Sequence, residues 1–314
     1  VTAAAPMAEL LEDAGEAVAG EDFFRSRPFL DAEGVTHTLR IAAEGIELLA
    51  PLIVRKIEGT DERDAISPYG YPGFQPKPDC PQSAIDPAAI DFSDTGLVSI
   101  FLRHTLAEPP LLGARERNVV QVADPSLPAK TRGSDRNRIN KNVRLGYSVR
   151  LVPGPQTSPA DRAGFLAAYE QTMRRAGAGE RYFFGAAYFD RILESSQAWL
   201  ALADDPDADV AAASIAVRSD GFLHYYLSGT ADAALRDSPM KNVVARLVEL
   251  STELELPLNL GGGLAPGDAL EEFKRGFANR EQTWLTSEIV CDTPAYERLS
   301  AGHAGADFFP AYRG

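Results

Sequence analysis

From residue 158 onward the spacing of apolar residues switches repeatedly between the 3.6-residue period of a helix and the two-residue period of a strand. This alternation confines the fold to a mixed α/β layer. Ser158-Pro159 with Asp161 forms a helix start, and Phe165, Tyr169, Thr172 and Ala176 follow at helical spacing. A second short helix is expected over 185–195, with Tyr188, Phe189, Ile192 and Leu193 on its apolar side. VAAASIAVR (210–218) and FLHYYLSG (222–229) read as two strands of a hairpin closed by Ser219-Asp220-Gly221. Ser238-Pro239 opens a helix striped by Val243, Leu247, Leu250 and Leu254; PLNL (257–260) is a short buried strand ending in Gly261-Gly262-Gly263. A helix over 268–276, with Asp268 and Glu271 at capping positions, precedes a final strand, WLTSEIVC (284–291). Neither a Rossmann array nor an all-β barrel has this order.

The first 150 residues are less periodic. Residues 1–34 read as an acidic helix and connector, and 35–58 as one or two strands carrying Val35, Leu39 and Ile41. The stretch 59–93, rich in Pro, Gly, Asp and Ser, reads as a long loop ordered by the aromatics of SPYGYPGF (67–74). LVSIFLRHTL (97–106) suits a buried helix or strand, and NVVQVA (118–123) a strand.

At 314 residues and 45% hydrophobic content the chain has ample material for a core. No run of 18 apolar residues occurs, and the first residues are acidic and amphipathic, so a cytoplasmic chain without membrane insertion is expected. Two cysteines, Cys80 and Cys291, and four scattered histidines offer no metal-ligand spacing, so no metal is expected. A formal net charge of −14 argues against generic nucleic-acid binding. The stretch 130–150 departs from that average: it carries seven bases and one acid, Asp135. It is either a solvated helix face or a docking patch for phosphates.

Several side chains are candidates for chemistry. In FKRGF, helical geometry places Leu270, Phe273 and Phe277 on one face and Lys274 at its margin. There a lysine either snorkels to solvent or stabilises negative charge developing at a pocket edge. His224 shares strand parity with Phe222 and Tyr226, and reads either as a core histidine or as a group facing substrate. Tyr69, Tyr71 and Phe74, with Tyr182, Phe183 and Phe184, either wall an acceptor pocket or fill a domain interface, and one of Arg174 and Arg175 could hold an acceptor carboxylate or phosphate. Arg236 and Lys241 flank a helix start, where they either meet a phosphate or stand as a solvated pair.

HYYLSGT (224–230), SPMKNVVARLVEL (238–250), LNLGGG (258–263) and LEEFKRGF (270–277), followed by a strand, together resemble the C-terminal GNAT-like domain of Fem-type proteins. SPYGYPGF, RNRINKNVRLGYSVR (136–150) and YEQTMRRAGA (169–178) extend the resemblance over roughly residues 60–295. It implies an α/β GNAT-like fold of two halves, the first degenerate. The expected division is 1–150 and 151–299, with 300–314 returning to the first half. It also implies transfer of an aminoacyl group from tRNA to an amine, with Phe273 and Lys274 as the functional pair and the lysine near the tRNA 3′ end. The patch residues Arg136, Arg138, Lys141 and Arg144, with Arg236 and Lys241, would then meet tRNA phosphates, and Tyr69, Tyr71, Arg174, Arg175, Tyr182, His224 and Tyr226 would line the acceptor side.

CoA users of this fold carry RxxGxG/A ahead of the helix, whereas GTADAALRDSPMKN (229–242) lacks that glycine spacing. This disfavours CoA, and no resident cofactor is expected. No heptad arm of the kind found in some Fem proteins occurs, which points to a small-molecule or peptide amine of natural-product (antibiotic) biosynthesis as acceptor. Two alternatives stay open: an acyl-CoA or acyl-carrier N-acyltransferase, and a non-catalytic GNAT-like binding protein.

Overall fold

The computed structural model describes residues 5–43, 46–75, 85–207, 209–303 and 308–314. In chain order the elements are β1 (Met7–Leu11), α1 (Arg27–Glu33), β2 (His37–Ala43), β3 (Ile46–Lys56), β4 (Arg63–Ile66), β5 (Ser99–Arg103), β6 (Arg115–Ala123), α2 (Gly133–Arg144), β7 (Ser148–Pro153), α3 (Pro159–Arg175), α4 (Ala186–Ile192), β8 (Ala198–Asp204), β9 (Val210–Ser219), β10 (Phe222–Thr230), α5 (Met240–Glu253), β11 (Leu258–Gly261), α6 (Ala269–Arg275), β12 (Arg280–Val290) and α7 (Thr293–Ser300). No helix among the described residues is long and apolar enough to cross a membrane.

The chain divides into two compact units. Residues 1–20, 24–117 and 283–314 form the first, and 21–23 with 118–282 the second. This corrects the expected division near residue 150 for physical reasons. Strand β7 pairs with β8 from Ser148↔Asp204 to Pro153↔Trp199. Helix α2 is tied to α5 through Asn142, whose amide donates to the Asn242 side chain at 2.8 Å. At the other end, Thr286 of β12 lies opposite Arg103 of β5, so 283–299 belongs with the first unit.

In the first unit the strands run β1-β2-β3-β4-β5-β12. The segment MAELL forms β1, paired antiparallel with β2, and not the acidic helix expected. Cross-strand pairing and burial of Ala8 outweigh its weak helical preference. Strand β4 also interrupts the stretch 59–93 expected to be loop; Cys80 lies outside the described residues. Leu39, Ile41, Leu52, Phe74, Ile100 and Leu102 belong to the core. Fully buried Asp64 accepts from Arg55 Nε at 2.9 Å and Arg313 Nε at 2.5 Å, while Tyr312 and Ser99 share a hydroxyl contact of 2.8 Å. The last residues are thereby fastened to β3, β4 and β5.

In the second unit the strands run β6-β11-β10-β9-β8-β7. The β9–β10 turn is as read: Phe222 pairs with Ser219, and Asp220 and Gly221 have φ of 48° and 77°, the doubly left-handed turn that matches strand twist. Strand β10 runs parallel to β11, and α5 provides the crossover between them. Val243, Val244, Leu247 and Leu250 of α5 pack on Ala201, Ala203, Ala212 and Ala216. Helix α3, started by a complete Ser158/Asp161 capping box, packs on β9 and β10. Gly229 permits that approach, because a Cβ there would stand 2.3 Å from Tyr169 N and 2.5 Å from the Ala168 carbonyl oxygen. Strand β8 was not foreseen: Leu200, Ala201, Leu202 and Ala203 are all buried, so AWLALAD lacks the alternation of a half-exposed strand.

Candidate functional site

The site is built on the β11–α6 connection of the second unit. Strand β11 ends at Gly261, whose φ of 76° lies in the left-handed region that favours glycine. Helix α6 starts at Asp268, whose carboxylate accepts from the N–H groups of Glu271 (2.8 Å), Leu264 (2.6 Å) and Ala265 (3.0 Å). The Glu271 carboxylate reaches back to Gly267 N at 2.8 Å. Satisfying these donors fixes the rotation of the seven-residue helix and turns Glu271 and Lys274 inward. Leu270, expected on the buried face, is 39% exposed, whereas Lys274 is only 8% exposed.

Lys274 therefore does not snorkel. Its Nζ donates to the Gly262 carbonyl at 2.6 Å. A Cβ on Gly261 would come within 3.1 Å of the same Nζ, so the glycine run makes room for the ammonium group. Desolvation lowers the Lys274 pKa to about 8, and the nearby Asp268 charge opposes the shift. Phe273 meets Phe277 edge-on at 5.8 Å and packs against the α5 core.

A buried network holds the strand that presents Gly262. Gly261 N donates to Asn259 Oδ1 at 2.8 Å; since a backbone N–H only donates, this identifies that side-chain atom as the oxygen. Asn259 Nδ2 then donates to His224 Nδ1 at 3.1 Å, leaving the proton on Nε2, which donates to the Ser219 carbonyl at 3.3 Å. His224 is a neutral core histidine whose pKa burial lowers to about 4. The imidazole orients the glycine turn and takes up no second proton near neutral pH. Its Cε1–H resonance is expected to stay unshifted from pH 8 to pH 5. Because the unfolded imidazole titrates near 6.5, His224 contributes stability that is lost as pH falls from 6.5 toward 4. A shift midpoint near 6.5 would contradict the buried assignment.

Beneath α6 sits Asp135, the one acid of the basic stretch. It is 3% exposed, paired through Oδ1 with Lys241 Nζ at 2.7 Å, while Oδ2 has no hydrogen-bond partner. A Cβ on Gly276 would lie 2.3 Å from that Oδ2. Gly276→Ala is expected to destabilise the protein by about 1–3 kcal/mol through overpacking against a buried carboxylate, measured by urea unfolding. An unchanged midpoint would mean that Asp135 moves freely.

The other candidates fall into groups. Lys241, expected to meet phosphate, is committed to Asp135. Arg138 lies 3.7 Å from Asp237, whereas exposed Arg136, Lys141, Arg144 and Arg236 make no ion pair among the described residues. Neither Arg174 nor Arg175 faces inward: Arg174 pairs with Glu170 at 3.2 Å, and Arg175 with Asp232, because the end of α3 is solvated. Tyr226 lies where the β9–β10 register shifts, and its hydroxyl meets Tyr188 at 2.9 Å. Phe184 stacks on Tyr188 at 4.2 Å, and the Tyr182 carbonyl accepts from Tyr169 at 2.7 Å. Tyr69 and Tyr71 belong to the first unit; Tyr71 packs edge-on against Phe24 and Trp284. Sequence reasoning missed Tyr188, Asp135 in its structural role, and Asn118, which donates to the Gly263 carbonyl at 3.2 Å from 145 residues away. No cluster of metal-ligating side chains occurs among the described residues.

Residues 129–275 match the acetyltransferase (GNAT) domain family model. No curated protein matches the chain in sequence. Among solved structures it is similar to FemX (TM-score 0.58, 11% identity, covering 83% of this chain and 90% of that one). It is also similar to the C-terminal domain of a putative lysylphosphatidylglycerol synthetase from Agrobacterium fabrum (TM-score 0.57, 16% identity, 89% and 90% covered). L-PGS from Bacillus licheniformis is a third (TM-score 0.50, 13% identity, 79% and 83% covered). Residues 129–275 thus match a GNAT acetyltransferase domain, and the chain has the fold of these three solved structures.

Proposed function

We propose that the protein transfers an aminoacyl group from a charged tRNA to the amine of a small molecule or peptide, with no resident cofactor. The acceptor amine attacks the carbonyl carbon of the aminoacyl ester, the amide forms, and the ribose oxygen leaves and takes up a proton. The observation that carries this reading is the desolvated Lys274 ammonium on the Gly262 carbonyl, within a helix–turn whose sequence resembles the Fem-type pair. A cation in such a site is worth far more to a developing oxyanion or a departing alkoxide than one in water. Ester-to-amide exchange is downhill, so positioning and charge stabilisation can carry most of the rate.

Two features support tRNA over CoA as donor. At the start of α5, where CoA users of this fold cradle pyrophosphate, Lys241 is neutralised by Asp135 and the Asp237 carbonyl accepts from Asn142 at 2.9 Å. Exposed Arg136, Lys141 and Arg144 on α2, with Arg236, provide local cations for phosphates on a chain that is acidic overall. The missing coiled-coil arm favours an acceptor from natural-product assembly. Incubation with a pool of charged tRNAs and a panel of small amines is expected to give amides whose formation RNase abolishes. Product formed after RNase treatment would overturn the reading.

A further inference from the structure

The first unit contains a cavity of about 490 Å³ that plays no part in the chemistry proposed for Lys274. Its floor is the β12 face carrying Thr286, Glu288 and Val290; Arg115, Glu116 and Arg117 of β6 form one side, and Tyr296, Phe308 and Phe309 the other. Phe309 stacks on Tyr296 at 5.8 Å and lies 6.4 Å from Phe101. Arg313 and Tyr312, bonded to Asp64 and Ser99, hold the end of that aromatic wall in place.

Two observations mark a built site. Thr286 is fully buried, lines the cavity, and its hydroxyl has no hydrogen-bond partner, a cost that a folded chain seldom carries without use. The charged lining carries both signs: Arg115 and Arg117 share a face with the Glu288 carboxylate, while Glu116 between them alternates to the other face of β6. Arg115 is neutralised by Glu288 at 2.8 Å, while Arg117, 5.9 Å from the Phe101 ring centre, makes no ion pair among the described residues. A lining that presents both signs favours a dipolar ligand, and the rings favour a flat apolar body.

We propose that this cavity binds a free aromatic α-amino acid as its zwitterion. The carboxylate lies on Arg117, the ammonium on Glu288 beside Arg115, and the ring lies against Tyr296 and Phe309, with Thr286 hydrogen-bonding to the polar end.

The test is ligand-observed NMR titration of the intact chain with phenylalanine, phenylacetate, which lacks the ammonium, and phenethylamine, which lacks the carboxylate. Phenylalanine is expected to bind with a Kd of about 1 mM or tighter, and each half-ligand about tenfold more weakly. Arg117→Ala, at an exposed position, should bring phenylalanine down to the level of phenethylamine and leave phenethylamine itself unchanged. Thr286→Val should weaken phenylalanine several-fold while leaving the melting temperature of the free protein unchanged or higher, since it removes an unsatisfied hydroxyl. Absence of phenylalanine binding, equal binding of either half-ligand, or binding indifferent to Arg117→Ala would overturn the proposal.

Discussion

Lys274→Met is expected to fold normally and to lose about 10²–10³-fold in turnover, the range seen when one charge-stabilising donor is removed from an active site. The two outcomes come from one fact. Lys274 is buried, and desolvation holds its pKa near 8, so its charge is maintained at a cost to the fold. Replacing the ammonium with an unbranched apolar chain of similar length removes that cost and leaves only the Gly262 carbonyl to be solvated. Stability at pH 7, read from chemical denaturation, should be equal or higher. Between pH 8 and 10.5 the unfolded chain holds this proton while the folded chain has released it, so the lysine's contribution makes stability rise with pH across that window. The methionine variant should lack this slope. Turnover of the unmodified protein should fall as pH rises through about 8, because the proposed function works through the ammonium. A Lys274→Met variant with full turnover would leave the lysine a structural residue.

Gly229→Ala should have the largest effect on stability of any single methyl addition in the second unit. The new Cβ would meet backbone atoms of α3, with Ala168 C at 2.4 Å and Tyr169 N at 2.3 Å, and backbone cannot rotate away as a side chain can. Helix α3 must lift from β10, which uncovers fully buried Phe165 and Tyr169. A loss of about 3 kcal/mol or more is expected, a fall in melting temperature on the order of 10 °C. A shift of less than about 2 °C would show that α3 does not pack where it is placed.

Elements whose determinants are local were legible in the sequence. The Ser158/Asp161 cap, the Asp220-Gly221 turn and the stripe on α5 rest on residues at most a few turns apart. What could not be read is what depends on partners far along the chain. The inward turn of Lys274 comes from donors at Leu264, Ala265 and Gly267 and an acceptor at Gly262, none of which the helical wheel contains. Lys241 looked free for phosphate until Asp135, more than 100 residues earlier, took it. Arg175 was likewise claimed by Asp232. The glycines following β11 were read as the end of a strand, and their use as space for the lysine needs both segments in view. Strand β1 shows the converse: its sequence leans weakly toward a helix, and its β2 partner decides otherwise.

The most direct measurement supplies the protein with an amine acceptor, aminoacyl-tRNA and acetyl-CoA together in a single turnover, then quantifies the amide product, deacylated tRNA and free CoA. The proposed function requires an aminoacyl amide formed in equal amount with deacylated tRNA, no CoA release, and loss of both signals in Lys274→Met. An acetylated amine with matching CoA release and intact aminoacyl-tRNA would contradict it.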